Sequence, residues 1–321
     1  LKGKKKVAIF THVNPDGDAI GSALAFQHYL ISRHMKSQIF IASMIPESLL
    51  WLKGSRNVAV KPAVDDLKRF LEKTDLIVCL DFNEPGRVDY LSELLTNTQI
   101  PVLVIDHHPQ VHNHIGLQVC SLKVSSTAEL IFWLLKTDEH FKIDAEFATA
   151  IYTGIVTDTG SFAYNCSNPH TFVAVAELLK TGFDKDAVNN FVFQQFSEAR
   201  MRLLGHLLAN RMVIMHKYKA SYTYLTKEDL KNFSHQSGDT EGFVNYPLSI
   251  TNIDFTALFI EQDDFVKISF RSKGNFAANE FSTRFYNGGG HRNAAGGRSY
   301  LSLNDTLKQF EDQVKNYIHE F

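Results

Sequence analysis

The sequence predicts an α/β protein: a parallel-sheet domain followed by a second, smaller α+β domain. Three observations predict it. The first half of the 321-residue chain alternates strand-like and helix-like segments, the pattern of a parallel sheet covered by helices. Within that half, residues 76–80 and 101–105 are unbroken apolar runs, which suit strands buried on both faces. Near residue 185 the pattern changes to a helical stretch and then to strand-like segments of a different order.

The elements follow in sequence. Residues 7–11 are a short β-prone run. Residues 18–34 then carry Ile20, Leu24, Tyr29, Leu30 and Ile31 at close to helical spacing. Residues 38–42, 75–80 and 101–105 read as strands, and 126–136 and 145–156 as helices. From 186 to 208 the pattern is mainly helical and poor in Gly, Pro and Ser, so it reads as a connector rather than a flexible linker. Beyond it, 219–225, 255–260 and 265–270 are strand-like, and 277–286 and 304–319 helical. The expected domains are therefore 1–185, a helical connector at 186–208, and 209–321.

Bulk properties exclude several classes. A formal net charge of −2 gives no general electrostatic grip on long duplex nucleic acid, although a few cations can still hold a small anion. No apolar run approaches the roughly 20 residues that span a bilayer, and 7–10 is too short for the apolar region of a signal peptide. Cys79, Cys120 and Cys166 are odd in number and widely spaced, so they outline neither a disulfide framework nor a zinc knuckle. Free thiols in a reducing cytoplasm are the expectation.

Chemistry-bearing residues gather at the ends of apparent strands, where open α/β sheets bind ligands. After Phe10 comes Thr11-His12-Val13-Asn14-Pro15-Asp16-Gly17-Asp18. Pro15 and Gly17 force a tight turn, which can aim His12, Asp16 and Asp18 at one centre. Asp16-Gly17 could be an ordinary turn and Asp18 a helix cap, but a turn has no need of His12. After Leu80 comes Asp81, and after Ile105 comes Asp106-His107-His108, whose adjacent imidazoles point in different directions. Asp158, in Thr157-Asp158-Thr159-Gly160, follows an apparent helix. Singly, these acids read as caps. Together His12, Asp16, Asp18, Asp81, His107 and Asp158 make four carboxylates and two imidazoles, a donor set for two divalent ions. So many carboxylates would otherwise raise one another's pKa values. In the second domain, Gly288-Gly289-Gly290-His291-Arg292 precedes Ala294-Ala295-Gly296-Gly297. Three glycines let backbone N–H groups approach an anion closely.

These motifs, in this order over nearly the whole chain, resemble those of the DHH phosphoesterase superfamily and, at 288–297, its DHHA1 domain. The closest subfamily resemblance is to the bifunctional oligoribonucleases and phosphoadenosine-phosphate phosphatases of the nanoRNase A type. Residues 239–247 and 269–273 share that likeness. The resemblance implies that His12 and Asp16 bind one metal, that Asp18, His107 and Asp158 bind another, and that Asp81 bridges them. Asp106 would orient a ligating imidazole, His108 would face the scissile phosphate, and Arg271 and His291 would grip the rest of the substrate. For Arg87 an ion pair near the rim is preferred to a substrate contact.

The implied cofactors are two divalent ions, Mn²⁺ first and Mg²⁺ or Co²⁺ as alternatives, acting on both sides of a displacement at phosphorus. The implied activity is hydrolysis of short oligoribonucleotides to mononucleotides, together with conversion of 3′-phosphoadenosine 5′-phosphate to AMP. The expected partners are short RNA oligonucleotides or small nucleotides, with no membrane and no long duplex nucleic acid; a homodimer is left open. The competing enzymatic reading is a phosphodiesterase for cyclic or linear dinucleotides (c-di-AMP or pApA). The non-enzymatic one is a nucleotide-binding sensor, whose sign would be missing ligands; all six are present.

Overall fold

The computed structural model describes residues 3, 5–109, 115–236 and 238–317. It divides into two compact units, Leu1–Gln195 and Phe196–Phe321.

The first unit is built on six parallel strands: β1 (Lys6–Thr11), β2 (Lys36–Ile41), β3 (Ala59–Val60), β4 (Leu76–Leu80), β5 (Val102–Asp106) and β6 (Leu117–Cys120). Their spatial order is β3-β2-β1-β4-β5-β6, so the order reverses between β1 and β4. In open α/β sheets such a reversal leaves a crevice beyond the strands' C-terminal ends, where ligands bind. Among the described residues seven α-helices accompany the sheet: α1 (Gly17–Ser32), α2 (Val64–Leu71), α3 (Ser92–Thr96), α4 (Thr127–Lys136), α5 (Ala145–Asp158), α6 (Pro169–Leu179) and α7 (Lys185–Phe193). Alternate strand residues enter different cores. Ile9, Ile39, Val78, Leu80 and Ile105 pack with residues of α1, α4 and α5. Ala8, Phe10, Phe40, Ile77, Cys79 and Val104 pack with Leu67 and Leu71 of α2 and Leu95 of α3. Burial on both faces is why the central strands carry no alternation in the sequence.

The second unit contains α8 (Glu198–Asn210), β7 (Met212–Met215), β8 (Ala220–Leu225), α9 (Lys227–Asn232), β9 (Phe255–Glu261), β10 (Val266–Ser272), α10 (Ala278–Tyr286), β11 (Gly289–His291), β12 (Ala294–Ser299) and α11 (Leu303–Tyr317). The sheet order is β11-β12-β10-β9-β8-β7, and β8 and β9 are parallel while the other pairs are antiparallel. One face holds an aromatic core of Phe255, Phe259, Phe270, Phe281, Tyr286 and Phe310. The other packs Leu225, Leu258 and Ile260 against Leu203, Leu204 and Leu207 of α8.

Three readings change in detail. The stretch 186–208 is two helices, α7 in the first unit and α8 in the second; Ser197 starts α8 by accepting the Arg200 N–H at 3.0 Å. The Gly-rich segment, which shows no strand pattern in the sequence, is a hairpin of β11 and β12, in register at Gly289–Gly296, Gly290–Ala295 and His291–Ala294. Of the helix expected at 304–319, residues 318 and 319 lie outside the described residues. Cys79, Cys120 and Cys166 are unbridged. Among the described residues no helix is long and apolar enough to cross a membrane.

Candidate active site

Strand register assembles the site. Thr11 pairs with Leu80, and Leu80 with Ile105. One residue further along these strands stand His12, Asp81 and Asp106, so the three motifs begin in one row at the C-terminal edge of the sheet.

The turn after β1 works through Asp16. This residue, rather than Asp18, caps α1: its Oδ1 accepts the N–H groups of Asp18 and Ala19, each at 3.0 Å. Asp18, one residue inside the helix, is buried and turned towards α4. Its Oδ2 accepts the Thr127 N–H at 2.7 Å and its Oδ1 the Ala128 N–H at 2.8 Å, an anion held at a helix N-terminus. The sequence announces that helix start by a Ser126-x-x-Glu129 pattern before an apolar run, but not what it faces. His12 Nδ1 lies 2.9 Å from the Val13 carbonyl oxygen. Donation there leaves the Nε2 lone pair directed at Asp81 Oδ2, 3.4 Å away.

Asp81 lies between two groups. Its φ of +66° is in the left-handed region that costs most residues energy but Asp and Asn least. On one side it meets His12 through Oδ2. On the other, its Oδ1 lies 3.7 Å from His107 Nε2 and accepts from Thr127 Oγ1 at 2.9 Å. His107 Nε2 is also 3.8 Å from Asp18 Oδ2 and 3.6 Å from Asp158 Oδ2. Among the described residues Asp81 belongs to three groups whose ligand atoms lie within 4.8 Å of one another: His12–Asp16–Asp81, Asp18–Asp81–His107, and Asp81–Asp106–His108, the last closed by a hydrogen bond between Asp106 and His108.

The imidazole that Asp106 holds is His108: Oδ1 to Nδ1 is 2.8 Å. In extended backbone, residues two apart share a face, which pairs Asp106 with His108 and turns His107 the other way. Asn83, which no pattern along the chain singles out, donates to Asp106 Oδ2 at 2.7 Å and to the Pro109 carbonyl at 3.0 Å. Asp158 is the last residue of α5, and α5 reaches the site by lying close to α1. A Cβ on Gly154 would meet Ala128 Cβ at 2.5 Å and Asp18 Oδ1 at 2.7 Å.

Crowded acids under burial should resist ionisation, and they do. Burial, then the charge of Asp16, raises Asp18 to about 6; burial and the charges of Asp18 and Asp16 push Asp81 well above its ordinary value. His108 goes up although burial opposes it, because Asp106 accepts its hydrogen bond and Asp81 and Asp106 add negative charge. Burial likewise opposes the downward shift of Asp106, and the hydrogen bond and charge of His108 win.

The residues fit a pair of divalent cations. The imidazole–carboxylate separations of 3.4–3.8 Å at His12 and His107 are long for hydrogen bonds. Two donors sharing an ion through bonds of about 2.1 Å lie about 3.0–3.5 Å apart, close to what is seen. Mixed nitrogen and oxygen donors suit Mn²⁺ and its neighbours.

Arg87 does not make the ion pair expected of it. It is exposed, and among the described residues no carboxylate lies within 4.0 Å of it.

In the second unit, Arg271 and His291 both pair in register with Ala294, from opposite sides. Partners in register share a face, so the two side chains flank Ala294 on one surface of the sheet. Arg271 Nη1 donates to the Phe270 carbonyl at 2.9 Å. Two of the three glycines are required by packing: a Cβ on Gly288 would lie 1.9 Å from the Gly296 oxygen, and one on Gly290 2.5 Å from the Ala294 oxygen. Gly289 has open space above it.

Two family models match the chain: the DHH family N-terminal domain over residues 6–155 and the DHHA1 domain over 219–320. A solved structure described as an exopolyphosphatase-related protein from Bacteroides fragilis is 37% identical, covers 99% of this chain and 94% of its own, and superposes with a TM-score of 0.93. The chain belongs to the DHH/DHHA1 phosphoesterase family. Within that family it is similar to the probable bifunctional oligoribonuclease and PAP phosphatase NrnA of Streptococcus mutans, 28% identical over 99% of this chain and 96% of the relative. The NrnA of Bacillus subtilis is 27% identical over 92% and 89%. Family membership makes the chain a hydrolase of phosphate esters, and the strand-end cluster is the part of it with the donors for that chemistry.

Proposed function

We propose that this phosphoesterase hydrolyses short oligoribonucleotides to mononucleotides and removes the 3′-phosphate of 3′-phosphoadenosine 5′-phosphate, using two divalent ions held by the first unit. The observation that carries the two-ion reading is the sharing of Asp81 between the His12–Asp16–Asp81 and Asp18–Asp81–His107 groups. In this reading His12 and Asp16 hold one ion, Asp18, His107 and Asp158 the other, and Asp81 both. The ions, Mn²⁺ by donor type, would supply an activated water and screen the phosphate's negative charge.

The chain's own residues do the rest. The N-terminus of α4 and Thr127 fix the carboxylates of Asp18 and Asp81 in place by hydrogen bonds. Asp106 fixes the His108 ring through Nδ1, so any proton given to substrate leaves from Nε2. The hydrogen bond to Asp106 and the charges of Asp81 and Asp106 favour the protonated ring although burial opposes it, and a proton at Nε2 can stabilise charge developing on a phosphate or leaving oxygen. Arg271 and His291, on either side of Ala294 on one face of the second unit's sheet, would take the remainder of the substrate.

The substrate choice is supported by the names of the two NrnA relatives; the Bacteroides relative bears a polyphosphatase name. Initial rates of the Mn²⁺-loaded protein on a dinucleotide, an RNA five-mer, RNA of about twenty nucleotides, the bisphosphate, cyclic di-AMP and inorganic polyphosphate decide between them. The proposal expects the dinucleotide and five-mer to be cut fastest and the bisphosphate measurably. Polyphosphate or the cyclic dinucleotide ranking first would overturn it.

A further inference from the structure

We propose that Arg87 is a substrate-contacting residue that binds oxygens of the phosphate being cleaved; this rests on the phosphoester reading above. Arg87 belongs to the segment 81–91 that follows Asp81, and this segment is tied to the site by backbone. The Arg87 carbonyl accepts the Val13 N–H at 2.8 Å, next to His12, and the Arg87 N–H donates to the Glu84 carbonyl at 3.0 Å. At the segment's start the Asn83 side chain joins Asp106 and Pro109. At its end the Tyr90 hydroxyl donates to the Pro62 carbonyl at 2.9 Å. Between them, Asp89 has φ +53°, left-handed backbone that a non-glycine residue adopts at a cost. The guanidinium is thus carried by a segment braced at both ends.

The charge balance identifies its use. Asp16, Asp18, Asp81 and Asp158 lie at the same sheet edge, yet Arg87 pairs with none of them. A cation placed to neutralise those acids would be at ion-pair distance from one. Instead it is exposed, and its positive charge is felt by the His108 imidazole. Arg87 is thus an exposed cation whose backbone is fixed beside His12. With metal ions held by the acids, a phosphate drawn to those ions would have oxygens left over for it. A guanidinium offers paired N–H donors that match two such oxygens.

Arg87→Ala, Arg87→Gln and Arg87→Lys in the metal-loaded protein test this, with inorganic phosphate as the binding probe and the dinucleotide as substrate. Removing the charge should weaken inorganic phosphate binding and raise KM for the dinucleotide by roughly tenfold to a hundredfold. Lys should restore only part, having a point charge in place of the fork. Mn²⁺ titration should be unchanged, because the link to Val13 is made by backbone. Arg87→Gln keeps most of the stem, so it gives the same readout if truncation to Ala disturbs the segment. Unchanged phosphate affinity, or a displaced pH–rate profile with phosphate affinity intact, would overturn the proposal. So would loss of Mn²⁺ sites in Arg87→Gln. If the wild type binds phosphate but leaves the dinucleotide uncut, the substrate reading fails, and phosphate affinity alone still decides Arg87.

Discussion

Asp18 makes the electrostatics of the site measurable. Its carboxyl titrates at about 6 in the fold against an ordinary 3.8, so the folded chain holds this proton more tightly than the unfolded chain does. The stability it contributes is largest below about pH 4 and is lost as pH rises through about 6. A divalent cation needs the ionised form, so its binding gains over the same range. Thermal melts of the metal-free protein should therefore show this centre losing stability between about pH 4 and pH 6, and the rise in Tm on adding Mn²⁺ should be larger at about pH 7 than at about pH 5. A Mn²⁺ effect independent of pH would contradict this. The sequence marked Asp18 by its spacing from His12 and Asp16. It could not mark Thr127 or Asn83, because a hydroxyl or amide beside a carboxylate leaves no pattern along the chain.

At the scale of elements, the site exists because three adjacent parallel strands end in register and one helix comes close. Gly154 permits that approach. Gly154→Ala would drive a methyl group into Ala128 and the Asp18 carboxylate; overpacking of this kind costs about 1–3 kcal/mol. The expected result is a lower Tm, together with weaker Mn²⁺ binding at the group containing Asp18, His107 and Asp158. Mn²⁺ affinity equal to wild type would mean that α5 is not what positions Asp158. The strands that build the site were legible as unbroken apolar runs, and α1, α4 and α5 as periodic ones. β3, two residues long, and β6, exposed at the sheet edge, were not, because neither carries a run of buried residues. The hairpin of β11 and β12 was hidden by its glycines, which carry no strand pattern although packing requires Gly288 and Gly290.

At the scale of the whole molecule, the proposed reading divides the chemistry between two units, so that each should be open to separate perturbation. Arg271→Ala and His291→Ala should leave Mn²⁺ binding intact and raise KM roughly tenfold or more, as read from steady-state rates on a dinucleotide; loss of metal in either would show that the second unit supplies ligands. The order of motifs disclosed the two-unit plan, but the passage from one to the other was hard to read, since α7 and α8 run together as one helical stretch. The central claim is that one chain holds two ions on a shared Asp81. Calorimetric titration with Mn²⁺ of the wild type and of Asp81→Asn tests it most directly. Asn tolerates the left-handed backbone of Asp81 and keeps its size, so the fold should survive. The account predicts two Mn²⁺ per wild-type chain and, in the variant, weakening of both sites with loss of activity; two ions bound by Asp81→Asn with wild-type affinity would contradict it.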